Sequence, residues 1–215
     1  FVGDFGVRAA PPKMKLILAV AFALVAVALS DDPTRPQIAE HFGATGWTYF
    51  ERHGKNYTGT AEWGVDQTTS RAIELHQFPD LADPLYLMNL QRWDVGEAFN
   101  IDGHNRDPSH DECKKHELKG GMPNIWGWVQ LATYQGKFSP IPGMEIDLWE
   151  YETGGMKLAV GVSDFDHNTP VFFGRHSVSD SLRIIVRTFE TVYVNASWFE
   201  VPEVCKSANL TSEWA

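Results

Sequence analysis

Short runs of β-forming residues, each ended by Gly, Pro, Asn or Asp, follow one another along most of the chain. After the first thirty residues no run keeps the 3.6-residue periodicity of an amphipathic helix. Short strands separated by turn residues are typical of an antiparallel β protein. The sequence predicts strands at Gly46–His53, Tyr57–Val65, Thr69–Gln77, Leu85–Arg92, Gly96–Ile101, Trp126–Tyr134, Gly143–Tyr151, Met156–Val162, Val171–Arg175 and Leu182–Val194.

A different pattern occupies residues 14–30, where Met14 and Lys15 precede the unbroken apolar run Leu16–Leu29 and a small-residue exit at Ser30. The run is shorter than the ~20 residues of a membrane-spanning helix. It predicts a secretory signal peptide cleaved near Ser30, with a membrane anchor as the alternative. Residues 1–13 precede the first Met and are set aside as a leader or expression remnant. Residues 31–215 are predicted to form one domain.

The chain is acidic, with a formal net charge of −10 at pH 7. Nucleic-acid binding depends on basic patches that neutralise phosphates, and the sequence shows none. An acidic surface suits a secreted, extracellular protein for which calcium is a candidate weak partner.

Secretion changes how the two cysteines are interpreted. In an oxidising compartment Cys113 and Cys205 are expected to form a disulfide, and the alternative is two free or intermolecular thiols. Three acceptor sequons begin at Asn56, Asn195 and Asn209, and together with a signal peptide they predict a glycosylated surface.

One polar segment, Asp102–Cys113, contains two His, three Asp, one Glu and one Cys. The spacing of His104, His110 and Cys113 differs from the tight ligand pairs of structural zinc sites, so a polar connecting loop is the favoured interpretation. The segment Asp164–Asn168 resembles the start of a calcium loop. It lacks the Gly and Glu that such a loop needs at later positions, so a hand-type calcium site is rejected, while looser calcium binding stays open.

Motifs for catalysis are not found in the sequence. The nearest approach to a nucleophile elbow, Gly161–Phe165, lacks the second Gly, and no phosphate-binding glycine loop is present. We therefore predict that the protein is not an enzyme and needs no cofactor.

Aromatic residues are concentrated in the predicted strand that starts at Trp126. Alternation would place Trp126, Trp128 and Tyr134 on one face and Val129 and Leu131 on the other, so both faces need cover. Such a strand lies between a core and a helix, a partner subunit or a ligand cavity.

Alternation is clearest in the predicted strand that follows. Met144, Ile146 and Leu148 would share an apolar face, with Glu145 and Asp147 on a solvated one.

Several short motifs, taken in order, resemble those of the ependymins and ependymin-related secreted glycoproteins. They are Tyr57–Asp66 with Arg71, Tyr86–Met88, Gly96–Asp102, Cys113–Leu118, Thr133–Gln135 with Gly136–Phe138, and Trp198–Cys205. The resemblance implies two stacked antiparallel sheets forming an open half-barrel with an apolar cavity, similar to lipoprotein-carrier proteins. It also implies a secreted glycoprotein, often a homodimer, associated with calcium and extracellular matrix.

The function predicted from these observations is non-enzymatic binding of a hydrophobic small molecule, such as a lipid or fatty acid. Its predicted cavity wall consists of Trp126, Trp128, Tyr134, Ile146, Leu148, Leu158 and Val160. One alternative is a calcium-dependent matrix or cell-adhesion protein, and another is a lipocalin-like barrel, whose opening motif the sequence does not reproduce.

Overall fold

The structure is a computed structural model that describes residues 32–79, 81, 85–104, 111–191 and 194–211. The predicted leader (residues 1–13) and signal peptide (residues 14–30) lie outside the described residues. From Thr34 onward the chain belongs to one compact unit. Within the described residues, no helix has the length and apolar character needed to cross a membrane.

The described residues form eleven strands and three short 3₁₀ turns. The strands are β1 (Phe42–Arg52), β2 (Lys55–Asp66), β3 (Arg71–Phe78), β4 (Leu85–Arg92), β5 (Glu97–His104), β6 (Glu112–Glu117), β7 (Thr133–Phe138), β8 (Ile146–Thr153), β9 (Met156–Ser163), β10 (Pro170–His176) and β11 (Asp180–Glu190). The 3₁₀ turns are Gly127–Leu131, Ala196–Phe199 and Glu203–Cys205.

All eleven strands belong to one antiparallel sheet with the order β6-β5-β4-β3-β2-β1-β11-β10-β9-β8-β7. Strands β1–β6 and β7–β11 are therefore two meanders, which the pairing of β1 with β11 joins. The predicted all-β, open half-barrel is confirmed. Its two predicted sheets are continuous, because β1 and β11 pair with each other. In the described part of the chain β6 and β7 stay unpaired with each other, so a closed lipocalin-like barrel is wrong.

Side-chain contacts show that the sheet is strongly curved. Trp63 of β2 and Phe173 of β10 lie three strand spacings apart in the sheet order, which is ~14 Å along a flat sheet. Their ring centroids are nevertheless only 5.2 Å apart. At Gly59 on β2, a Cβ atom would lie 1.9 Å from the carbonyl oxygen of Gln77, so the local bend requires glycine.

The segment that connects β6 to β7, residues 118–132, runs from one edge of the sheet to the other and is called here the crossover segment. Its Trp126, Val129 and Ala132 are buried in a core that includes residues of both meanders. The predicted strand Trp126–Tyr134 is wrong, because Gly127–Leu131 is a 3₁₀ turn and β7 begins at Thr133. This segment covers part of the concave face of the sheet.

Register assigns side chains to the two faces, since directly paired residues share a face. On the face that the crossover segment covers, called the inner face, Phe42, Trp63, Trp149 and Phe173 pack together with Trp126 as the inner-face core. The outer face carries a separate cluster of Ile146, Phe172 and Ile185, against which Leu148 packs.

The predicted solvated face of the Gly143–Tyr151 strand is wrong at Asp147, which is 2% exposed on the inner face. The Tyr134 hydroxyl donates to an Asp147 carboxylate oxygen at 2.7 Å, and Lys137 Nζ lies 3.1 Å from the same atom. Burial raises the pKa of Asp147. The hydrogen bonds from Tyr134 and Lys137 outweigh that effect, so the pKa of Asp147 lies below its ordinary value. Burial and the bond to Asp147 raise the pKa of Tyr134 to about 12.

The C-terminal part of the chain covers the outer face of β3–β5. Val194, Trp198 and Phe199 pack there in a cluster that includes Cys205. The predicted disulfide is confirmed: Cys113 on β6 is bonded to Cys205, with the two Cα atoms 5.3 Å apart. The bond attaches this cover to the edge of the sheet.

Replacing both cysteines by alanine is expected to lower the free energy of unfolding by roughly 3–5 kcal/mol. The bond joins residues 92 positions apart, and a crosslink that closes so long a loop strongly restricts the unfolded chain. Urea denaturation followed by tryptophan fluorescence measures the change. A loss below about 1 kcal/mol would contradict this expectation.

Candidate functional site

A cavity of about 640 Å³ opens on the inner face beyond the inner-face core, toward the end of the sheet at which β1 ends and β11 begins. Its volume lies within the ~300–1,000 Å³ typical of small-molecule sites. Residues from strands as distant in the sheet as β6 and β10 line it, because the sheet curves around it. The cavity is the candidate functional site.

Part of the cavity surface is apolar. Phe50 and Leu182, which are opposite each other across β1 and β11, line it together with Leu87 of β4. Phe50 also packs against the rings of Tyr57 and Phe78, with centroids 6.0 and 6.3 Å away. An alkyl chain or other apolar group placed on this surface would lose contact with water, which is the main driving force for binding such ligands.

The wall formed by β4–β6 carries a ladder of side-chain hydrogen bonds. Trp93 Nε1 donates to Gln91 (3.1 Å), Gln91 Nε2 to Asn89 (2.8 Å), and Asn89 Nδ2 to Asn100 (2.5 Å). Asn100 Nδ2 in turn lies 3.3 Å from His116 Nε2. Because the amide nitrogen of Asn100 can only donate, the Nε2 atom of His116 accepts in this arrangement. The ladder gives one wall a fixed polar surface.

The opposing walls carry a second group of polar side chains. On β3, His76 Nε2 lies 2.7 Å from Glu74 Oε1, and because a carboxylate only accepts, the imidazole is the donor. Burial raises the pKa of Glu74. The hydrogen bond from His76 and the charges of His76 and Arg175 together outweigh that effect, so the pKa of Glu74 lies below its ordinary value. Arg175 lies on β10, four strand spacings from β3, so its effect on Glu74 again reflects the curvature of the sheet.

Several buried polar atoms along the inner face make no hydrogen bond to any described residue. They are Thr48 Oγ1, His76 Nδ1, Trp126 Nε1 and Trp149 Nε1. Thr48 is fully buried, and His76 is 7% exposed. Buried polar atoms nearly always have a protein, water or ligand partner. Of the four residues only His76 lines the cavity, so its Nδ1 atom marks a position at which a polar group of a ligand would be stabilised.

The predicted wall residues are divided between the two faces. Trp126 and Val160 are buried in the inner-face core, and Trp128 and Tyr134 pack against it. Leu158 lies on the inner face opposite Arg175. In contrast, Ile146 and Leu148 belong to the outer-face cluster. The large cavity is lined by none of these seven residues.

The cavity residues were missed because no local motif distinguishes them. A signal was present in the alternation of β3 and β4, where Glu74 and His76, and Asn89 and Gln91, occupy positions two residues apart. Polar residues at such spacing share one face of a strand. Which face is internal depends on the curvature of the whole sheet, which the alternation does not reveal.

The three predicted glycosylation sites, Asn56, Asn195 and Asn209, are all exposed. Asn195 also caps a 3₁₀ turn, because its side chain accepts from the backbone nitrogen of Ser197 at 3.1 Å. Thr211, the hydroxyl residue of the third sequon, lies 3.0 Å from His116 Nδ1 and lines the cavity. A glycan on Asn209 would therefore sit close to the cavity.

Among the described residues, no group of three His, Cys, Asp or Glu side chains could hold a metal ion. In the calcium-like segment, Asp166 instead accepts from the Asn168 backbone and the Thr169 hydroxyl, at 3.0 and 2.6 Å. His110 lies outside the described residues.

No family model and no curated protein matches the chain. Among solved structures it is similar to the MucA/MucB complex of Pseudomonas aeruginosa, with 11% identity over 75% of this chain and 56% of that one, and a TM-score of 0.39. PNGF-II is 10% identical, over 79% of this chain and 30% of that one, with a TM-score of 0.35. A DUF1329 family protein from Desulfovibrio piger is 13% identical, over 89% of this chain and 98% of that one, with a TM-score of 0.26. The chain thus spans little more than half of the first of these, and likenesses this weak assign it no family or activity.

Replacing Thr48 by valine is expected to raise the free energy of unfolding of the ligand-free protein by about 1 kcal/mol. The change removes a buried hydroxyl that has no hydrogen-bond partner among the described residues, and it keeps the shape of the side chain. Thr45→Val is the matched control on the same strand, since Thr45 is half-buried and its Oγ1 lies 2.8 Å from Thr188 Oγ1. Urea denaturation of both variants tests this, and a destabilised Thr48→Val would contradict it.

Proposed function

We propose that the protein is a secreted, non-enzymatic glycoprotein that binds a hydrophobic ligand bearing a polar head group. The cavity on the inner face carries this proposal. Its surface combines apolar Phe50, Leu87 and Leu182 with polar side chains on the surrounding walls. A small number of polar groups around an apolar surface is the usual composition of a site that binds and orients an amphipathic molecule.

The proposal includes a relation to the ependymins. The order of the short motifs in the sequence supports it, as do the open antiparallel sheet and the bond between Cys113 and Cys205. The disulfide is also in keeping with an extracellular location. Exposed Asn56, Asn195 and Asn209 are accessible for glycosylation. A homodimer remains part of the proposal through the resemblance alone.

Filling the cavity is expected to weaken ligand binding at least tenfold. Leu87→Trp places a large ring on the apolar surface, whereas Leu148→Trp makes the same change on the outer face, where Leu148 is one of the predicted wall residues. Displacement of a hydrophobic fluorescent dye by a fatty acid measures the affinity. Weakening by Leu148→Trp, with Leu87→Trp unaffected, would place the ligand site on the outer face and contradict the proposal.

A second candidate function is calcium-dependent adhesion to extracellular matrix. The exposed outer face of β1 favours it, because Trp47 and Tyr49 are 43% and 40% exposed there, and large exposed aromatic residues are enriched at protein contacts. The acidic net charge of −10 would attract a divalent cation.

If adhesion is the function, millimolar calcium should raise the melting temperature and release or absorb heat on titration. Binding of an ion to the folded state alone stabilises that state. Calorimetry with magnesium as the control separates a calcium site from general screening of the acidic surface. The absence of any calcium-specific effect would count against adhesion and leave ligand binding as the function.

A further inference from the structure

Arg175 is the starting point, because it lines the cavity and its side chain makes no hydrogen bond or ion pair to any described residue. The side chain is half-buried on the inner face of β10. A guanidinium offers five N–H donors in a planar arrangement that matches carboxylate and phosphate oxygens. Fully buried arginines are nearly always paired with an anion, and a ligand that covered Arg175 would complete its burial.

Glu74 does not fulfil that role. Its carboxylate is bonded to His76 at 2.7 Å, whereas it makes no ion pair with Arg175. The charge of Arg175 still contributes to the lowered pKa of Glu74, so the two groups lie within electrostatic range. The N–H donors of Arg175 therefore remain available to a second anion. The nearby carboxylate of Glu74 would weaken the binding of that anion.

The surroundings of Arg175 differ from those of Arg52 and Lys114, which also line the cavity. Arg52 is exposed at the end of β1, directly opposite Asp180 of β11, whose carboxylate would compete with an anionic ligand. In the sheet, Arg175 lies between Leu158 of β9 and Leu182 of β11, so its charge emerges from an apolar surface. Lys114 is exposed on β6, and Glu112 of β6 and Asp102 of β5 share its face. These carboxylates would repel an anion approaching Lys114.

We propose that Arg175 binds the anionic head group, a carboxylate or a phosphate, of an amphipathic ligand whose alkyl chain lies on Leu182, Phe50 and Leu87. The inference rests on the proposed function and specifies its ligand class. On the facing wall, His76 holds Glu74, and its own buried Nδ1 atom has no partner in the described part of the chain. Arg175 then supplies the charge that distinguishes an acid from a neutral amphipath.

Three ligands with the same alkyl chain test this proposal: laurate, dodecyl phosphate and dodecanol. Their affinities are measured on the full protein by displacement of an uncharged fluorescent dye. We expect one or both anions to bind about 10- to 100-fold more tightly than the alcohol, the usual range for hydrogen bonds to a charged group. A preference for laurate alone indicates a carboxylate site, and one for dodecyl phosphate alone a phosphate site.

Three variants assign the preference to a side chain. Arg175→Gln should abolish the preference for anions and leave dodecanol affinity unchanged, whereas Lys114→Gln, the control on the opposite wall, should retain the preference. Glu74→Gln removes the competing carboxylate and should increase anion affinity several-fold. Because Glu74→Gln and Arg175→Gln are expected to act in opposite directions, general loss of structure would not reproduce the pattern.

The outcomes separate this inference from the proposed function. Equal affinity for the anions and dodecanol, or a preference that persists in Arg175→Gln, would overturn the assignment of Arg175 while leaving hydrophobic-ligand binding intact. Loss of the preference in Lys114→Gln alone would overturn it as well. Failure of all three compounds to bind would overturn the proposed function, and the head-group site with it.

Discussion

The pairing of β1 with β11 is the interaction on which the rest of the structure depends. Each meander alone is a row of hairpins, and among the described strands only this pair joins them into one sheet. The joined sheet curves until side chains such as Trp63 and Phe173 meet across it. Without that pairing, neither the inner-face core nor the cavity would have two opposing walls.

The inner face divides into an apolar and a polar half because the two ends of the sheet are covered differently. The crossover segment inserts Trp126 and Val129 against the first half, which becomes a packed core. Beyond Thr48 the strands carry polar residues, including His76 and Arg175, around a smaller apolar surface. A single curved sheet thus supplies both the stability of a core and a solvent-accessible binding surface.

Hairpins could be predicted from the sequence because their signals are local. All but one of the predicted strands overlap an observed strand over most of their length, since alternation and turn residues act over a few positions. The crossover segment was mistaken for a strand because Trp126 to Tyr134 is rich in residues that favour sheets. Strand β6 was not predicted because it is rich in Lys and Glu, which are uncommon in strands. The cavity depends on contacts between β3 and β10, which no local pattern encodes.

The same topology has a consequence for folding kinetics. Most strand pairs join neighbours along the chain and can form as each hairpin is completed, whereas Thr45 meets Thr188 from 143 positions away. Such a distant pairing has a large loop-closure cost and slows folding. We therefore expect β1 and β11 to pair after the hairpins of the two meanders, and the inner cavity requires that pairing. During that interval the edges of β1 and β11 are open to pairing with another chain, which makes them the regions most exposed to aggregation.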